Sequence, residues 1–375
     1  MVIGILKEPQ PERRVALLPE AVVTLKKLNV EVLVESGAGN QAYVSDADYE
    51  QAGAKIANRE NVVGNAEVLL RISPFTPGEV NNLKTNQVIL SVLNPLINKE
   101  LVKQLADKSI TSFSLDTIPR TSRAQAMDIL SSMATVAGYR AVLDAALHLP
   151  KFFPMFMSAA GTIRPAKVLI LGAGVSGLQA IATSRKLGAV VEVFDVRAAV
   201  KEEVQSLGGK FIEVEGAKDD KAAGGYAVEQ SEEFKQKQQQ LIHDHAVKAN
   251  VVITTAQIPG RQAPILLTTE TVNSMMPGAV IIDLAASTGG NCEVTQNGKT
   301  IVHNQVAIIG KSDYPSDMPF DASKMFGNNL LNFLKLIISK EGNLNLNFDD
   351  DIVKGTCITH NKEIVNERVK QTINA

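Results

Sequence analysis

The stretch KVLILGAGVSGLQAIA (167–182) holds Gly172, Gly174 and Gly177 in G-x-G-x-x-G spacing. The glycines end an apolar run that reads as a strand and open a run that reads as a helix. Gly172 permits a tight turn, Gly174 lets backbone approach a pyrophosphate, and Gly177 lets the helix pack close to its sheet. The helix N-terminus then offers unpaired N–H groups and partial positive charge to phosphate oxygens. Asp195 ends the next strand-like run, AVVEVFD (189–195), where an acid accepts a hydrogen bond from a ribose 2′-OH. Together these predict dinucleotide binding, with NAD preferred because Asp195 repels a 2′-phosphate. Arg197 works against that preference, since a nearby Arg can serve such a phosphate.

A second set of candidates lies in RAQAMDILSS (123–132), which reads as helix from its apolar spacing. Gln125, Asp128 and Ser131 recur every three residues and form a polar stripe of short groups. That stripe is either a solvated helix face or part of a site. In doubly wound folds ligands lie beyond the carboxyl ends of strands, and the loop Ser114–Arg120 ends the last strand of the first half. Arg120, Gln125, Asp128 and Ser131 therefore become candidates to face the nicotinamide end of a cofactor, whose carboxamide needs both donors and acceptors. No His precedes His148, and DLAASTGGN (283–291) adds Ser287 and Thr288 but no second acid. An alcohol or amino-acid dehydrogenase must move a proton as well as a hydride. Hydride exchange between two nicotinamides needs no such group.

These residues require a particular scaffold. Strand-like runs at 2–6, 30–36, 67–72, 87–93 and 109–116 alternate with amphipathic helical patterns such as 19–28 and 97–106. A second series follows at 167–172, 189–195, 210–215, 249–256, 279–285 and 306–310. The alternation predicts α/β architecture: two doubly wound parallel-sheet (Rossmann-like) domains with a cleft between them. The expected division is a discontinuous first domain, 1–136 plus 320–375, and a dinucleotide-binding domain, 137–319. The tail is expected to begin as a helix from Lys324 and end in short β-like runs around Asp351 and Thr356. The segment 215–240 reads as a long loop of Gly, Ala and charged residues, and Tyr226 behind Gly224-Gly225 favours a lid over simple disorder.

Composition removes other classes. A net charge of −2, 5% aromatics and no Trp argue against nucleic acid as partner. Two isolated cysteines suit a reducing compartment and give no metal-type spacing, and His243 and His245 at i,i+2 point apart on a helix. No apolar run reaches the length of a bilayer span, and no signal peptide is evident, so a cytoplasmic chain is expected. Arg13 and Arg14 form either an exposed basic turn or an anion contact.

The chain resembles the NAD(H)-binding component (α1 subunit, or domain I) of proton-translocating NAD(P) transhydrogenase. The resemblance rests on IPRTSRAQAMDILSSM, AGYRAV, SAAGTIRPAKVLILGAGVSGLQAIA, FDVRAA, GGYA, TTAQIPGRQAP, IIDLAASTGGNCE and the NNLLNFLK tail. Alanine dehydrogenase is the related family, sharing the KEPQPERRVALLPE type of segment. The resemblance implies NAD(H) on this chain and NADP(H) on a partner subunit, with direct hydride transfer between the nicotinamides (the Si-specific/Re-specific type). It implies a homodimer, membrane proton-channel subunits as further partners, and a peripheral position at the inner membrane through them. By position, Arg120, Thr121, Ser122, Gln125, Asp128 and Ser131 match the nicotinamide site. Val175, Asp195, Val196 and Arg197 match adenosine and pyrophosphate contacts, Gly225 and Tyr226 the loop closing over NAD(H), and Gln238 and Gln257 further contacts. Four positions depart from the family pattern: Gln230, Gln257, Lys311 and Asp317. The alternative, an alanine-dehydrogenase-like oxo-acid dehydrogenase, meets Ser73, the Leu93-Asn94 region and Ser287 where that family carries its catalytic Lys, His and Asp.

Overall fold

A computed structural model describes residues 1–214, 231–258 and 260–374. The chain divides into two compact units, Met1–Met133 with Pro315–Ala375, and Ala134–Tyr314. The first unit is built on β1 (Val2–Ile5), β2 (Glu31–Glu35), β3 (Lys55–Ala57), β4 (Val68–Leu70), β5 (Val88–Ser91) and β6 (Thr111–Ser114). Strands β16 (Cys357–His360) and β17 (Glu363–Ile364) from the tail complete it, giving the order β17-β16-β6-β5-β4-β1-β2-β3. Strands β1–β6 pair in parallel, and β16 joins β6 antiparallel. Alternate residues feed opposite faces, as strand geometry demands. Ile3, Val32, Val68, Leu70 and Leu90 enter one core, whereas Leu33, Leu69 and Ile89 enter the other. The first of these cores is closed by the helix Pro319–Ile337. Its Phe326, Leu330, Phe333, Leu334 and Ile337 recur at helical spacing and are buried.

The second unit carries β9 (Lys167–Leu171), β10 (Val190–Phe194), β11 (Lys210–Ile212), β12 (Val251–Thr254), β13 (Val280–Asp283), β14 (Lys299–His303) and β15 (Val306–Gly310). Their order is β11-β10-β9-β12-β13-β15-β14, parallel except for β14 at the edge. Both faces are again covered. Val168, Ile170, Val191 and Ile253 pack one way, and Leu169, Leu171, Val252 and Ile281 the other. A hairpin of β7 (Phe156–Ser158) and β8 (Gly161–Ile163) stands apart, with every residue exposed. In both sheets the strand order reverses beside the first strand, at β1/β4 and at β9/β12, which is where a doubly wound fold opens a crevice.

Two sequence expectations are corrected. RAQAMDILSS is not one α-helix: Ser122–Met127 is a 3-10 turn, and the α-helix Ile129–His148 starts after Asp128. The run at Asp351 is the helix Asp351–Thr356, not a strand; only Cys357–His360 extends. A short Asp-capped turn with one apolar pair carries too little periodicity to separate the two states. Strands β3, β7, β8 and β14, of three to five residues, also escaped the sequence reading.

One ion cluster makes the first unit acid-sensitive. Arg71 on the segment after β4 is 1% exposed, stacks over the Phe75 ring, and donates to both oxygens of Glu79 at 2.5 and 3.0 Å. Arg59 adds a third bond at 2.6 Å. Burial opposes ionisation of Glu79, but hydrogen bonds from Arg71 and the Thr76 N–H outweigh it and hold the carboxyl near a pKa of about 2. A depressed carboxyl pKa stabilises the fold above its usual 4.5, and that contribution drains away as pH falls from 4.5 toward about 2. Glu79→Ala should therefore cost about 3 kcal/mol at neutral pH and flatten the acid limb of a pH–denaturation curve. An unchanged acid limb would assign the acid sensitivity elsewhere.

Candidate nucleotide site

In the first unit, Ile118, Pro119, Arg120, Thr121, Ser122, Ala124, Gln125 and Asp128 line a pocket of about 290 Å3 beyond the carboxyl end of β6. Five expected site residues therefore share one concavity. The three-residue spacing has a different cause from the one the sequence suggested. A 3-10 turn has three residues per turn, so Ser122 and Gln125 eclipse on one face. Asp128, next in the series, sits at the N-terminus of the Ile129–His148 helix. Its carboxylate accepts from Ser131 N–H at 3.0 Å and Ser131 Oγ at 2.6 Å. Asp128 and Ser131 thus act as a cap, and the pair orients the pocket wall. Thr121 caps the 3-10 turn by accepting from Ala124 N–H at 3.3 Å.

The tail buttresses this pocket. Asn329 and Asn332 on the Pro319–Ile337 helix both donate to the Ala126 carbonyl, at 2.9 and 3.1 Å. Arg123 forks onto Asp350 at 2.7 and 2.6 Å and also pairs with Asp351. Hydrogen bonds from Arg123 pull the Asp350 carboxyl down to about 2. A Cβ on Gly355 would press on Pro119 at 2.5 Å. Sequence reading attached no role to Asn329, Asn332, Asp350 or Gly355, because each acts on residues about 200 positions away.

In the second unit the glycine loop has the shape its spacing requires. Gly172 has φ of +106°. A Cβ on Gly177 would overlap the Gly172 carbonyl oxygen, so the helix Val175–Lys186 lies tight on the loop. Gly174 is the N-cap, makes no side-chain cap bond, and faces open space. An uncapped helix N-terminus with room above it fits a pyrophosphate. Val175, 41% exposed, opens the helix; Val196 is half-buried beside the core.

Asp195 is more occupied than expected. Its Oδ2 accepts from Ala173 N–H at 2.7 Å and Arg197 Nη2 at 2.7 Å. Its Oδ1 accepts from Arg197 N–H and Arg197 Nε, both at 2.9 Å. The acid therefore shapes the glycine loop as well as standing at the ribose position. Beyond β12 and β13 a further network sets the loops. The fully buried Asp283 accepts from Thr254 Oγ1, Thr295 Oγ1 and three backbone N–H groups, of Ala285, Asn291 and Cys292. Asn291 bridges Ala256 and Pro264, and Gln257 donates to the Leu284 carbonyl at 2.9 Å. Gln257 thus ties two loops together where the family pattern has Leu. Gln238 is half-buried on the helix Glu232–Ala246. Gly225, Tyr226 and Gln230 lie outside the described residues.

The remaining candidates resolve as structure. Arg14 forks onto Glu12 at 2.9 and 2.6 Å and lies over the Phe326 ring, while Arg13 donates to Tyr43. His243 bonds Thr271 and His245 bonds Glu192. Among the described residues no cluster of His, Cys, Asp and Glu could hold a metal, and no helix is long and apolar enough to cross a membrane. At the β1/β4 reversal the chain fills its own crevice. Buried Glu8 accepts from Ile72 and Ser73 N–H at 2.5 and 2.9 Å, and burial raises its carboxyl despite those bonds.

Comparison with known proteins places this geometry. Residues 4–137 match the family "Alanine dehydrogenase/PNT, N-terminal domain" and residues 141–367 match "Alanine dehydrogenase/PNT, C-terminal domain". The chain is 47% identical to the first of the separate chains of NAD(P) transhydrogenase subunit alpha in Rhodospirillum rubrum, across 97% of this chain and 98% of that protein. A transhydrogenase structure from Sinorhizobium meliloti superposes with a TM-score of 0.89 at 41% identity, covering 97% of this chain and all of that one. Alanine dehydrogenase of Mycolicibacterium smegmatis is 27% identical over 100% of this chain and 97% of its own length. The chain is a member of the alanine dehydrogenase/PNT family, on its NAD(P) transhydrogenase alpha-subunit branch.

Proposed function

We propose that this chain is the NAD(H)-binding subunit of a proton-translocating transhydrogenase and passes hydride to NADP+ held by a partner subunit. The observation that carries the reading is the pair of subsites. One is an uncapped helix N-terminus with open space above Gly174. The other is a pocket whose lining offers Arg120, Gln125 and Asp128 but no Lys or His to move a proton. Gly172, Gly174, Val175 and Gly177 would hold the pyrophosphate, and Asp195, Val196 and Arg197 the adenosine ribose. Arg120, Thr121, Ser122, Gln125 and Ser131 are assigned to the nicotinamide end, where a carboxamide finds both donors and acceptors. Bound NADH supplies the hydride. The chain's own contribution is orientation and exclusion of water, with Gly225 and Tyr226 assigned to closure. Asp128, capped onto Ser131, is a positioning group and not a proton carrier.

Further partners follow from the same reading. Proton movement belongs to membrane subunits on other chains, which would keep this one peripheral to the inner membrane on its cytoplasmic side. A homodimer fits the second unit's surface, where Phe152, Met155, Phe156, Met157 and Ile163 on and beside the β7–β8 hairpin are 42–75% exposed. A second copy would remove that apolar area from water.

The test uses the purified chain with and without an NADP(H)-binding partner subunit. Alone, it should bind NADH, sediment as a dimer and leave pyruvate plus ammonia unreduced. With the partner, it should reduce an NADP+ analogue at the expense of NADH. Steady NADH oxidation by pyruvate and ammonia, or a reconstituted pair that transfers no hydride, would overturn the proposal.

A further inference from the structure

All four acceptor positions of the Asp195 carboxylate are filled by the chain itself. A carboxylate has about four lone-pair sites. Two are held by backbone, Ala173 N–H at 2.7 Å and Arg197 N–H at 2.9 Å, and two by the Arg197 guanidinium, at 2.9 and 2.7 Å. The pair is enclosed: the Asp195 side chain is 6% exposed and that of Arg197 21%. The backbone donors cannot leave without unmaking the glycine loop and the turn after β10. The guanidinium can leave, because it ends a flexible side chain only two residues away.

We infer that Arg197 is the specificity-determining residue of the adenosine subsite, a built-in occupant of the ribose position that must swing off Asp195 before a nucleotide's hydroxyls can bond there. This rests on the assignment of Asp195 to the ribose. Binding is then an exchange. The ribose offers neutral hydroxyl donors and displaces a bidentate, charge-assisted fork, which is the stronger kind of hydrogen bond. NADH affinity is held down accordingly, which suits a subunit that must release its nucleotide after each transfer. The displaced guanidinium stays beside the ribose, where it can fork onto a 2′-phosphate. Arg197 thus weakens NADH and rescues NADPH, and narrows by both routes a discrimination that Asp195 alone would make wide.

The prediction has a sign opposite to that of a simple ligand contact. By calorimetric titration of the full-length chain, Arg197→Ala should bind NADH about tenfold tighter and NADPH about tenfold weaker than the unmodified protein. Arg197→Lys keeps the charge but loses the fork, so its NADPH affinity should stay near the unmodified value while NADH again binds tighter. Both variants should melt within a few degrees of the parent. NADH binding that is weaker or unchanged in both variants, with the parent binding normally, overturns the exchange and leaves the nucleotide assignment standing. A parent chain that binds no NADH overturns the nucleotide assignment, and the exchange falls with it.

Discussion

Gln125→Asn is expected to slow hydride transfer about 100-fold while changing the NADH Kd less than about threefold. The reason is where Gln125 sits and what its side chain is asked to do. It projects from a six-residue 3-10 turn, Ser122–Met127, whose two ends are fixed independently. Thr121 caps the start, and Asn329 and Asn332 clamp the Ala126 carbonyl near the end. The backbone beneath Gln125 is therefore held, and only the length of its side chain decides where the carboxamide lies. Removing one methylene withdraws that group by about 1 Å, a misplacement that can cost about 10²-fold when reacting atoms must meet at roughly 3–3.5 Å. Most of the affinity for NADH arises at the pyrophosphate and adenosine, so binding hardly changes. Single-turnover transfer to an NADP+ analogue, set against equilibrium dialysis of NADH, separates the two quantities. Equal losses in both would make Gln125 an ordinary binding contact.

The sequence revealed the parts of this molecule that are written in short-range patterns. Twelve-residue helices beside five-residue apolar strands alternate at a spacing only a doubly wound fold accommodates, and G-x-G-x-x-G followed by an acid marks its own position in that fold. What stayed hidden depends on contacts between distant segments. Nothing in RAQAMDILSS distinguishes a 3-10 turn plus a capped helix from one continuous helix, because both satisfy an i,i+3 repeat. The distinction is made by Asn329, Asn332 and Asp350, which hold the turn from the far end of the chain. Likewise the motif Asp195–Arg197 announces a ribose acid and a neighbouring cation, but not that the one already grips the other. Asp283 was passed over because an acid closing an apolar strand looks like any strand end until five donors are seen to converge on it.

The glycine loop offers the sharper separation of folding from binding, because its glycines are needed for different reasons. At Gly172 the backbone is left-handed, and at Gly177 a Cβ would strike main chain, so changing either alters the loop itself. Gly174 differs. Its φ of −75° and ψ of −173° suit any residue, and a Cβ there meets no protein atom within 4 Å. Ala at this position should leave the fold intact, and even raise stability by about 0.4–1 kcal/mol through a stiffer unfolded chain. The same methyl group would stand in the space directly above the uncapped N–H groups of the Val175–Lys186 helix. Phosphate oxygens that need to approach those donors to about 2.9 Å could no longer do so. Gly174→Ala is therefore expected to weaken NADH binding by at least about 100-fold with an unchanged or slightly higher melting temperature. That combination is the signature of a glycine kept for a ligand. Normal NADH binding by a well-folded Gly174→Ala protein would show that the pyrophosphate lies elsewhere and that the spacing of these glycines serves only the packing of helix on sheet.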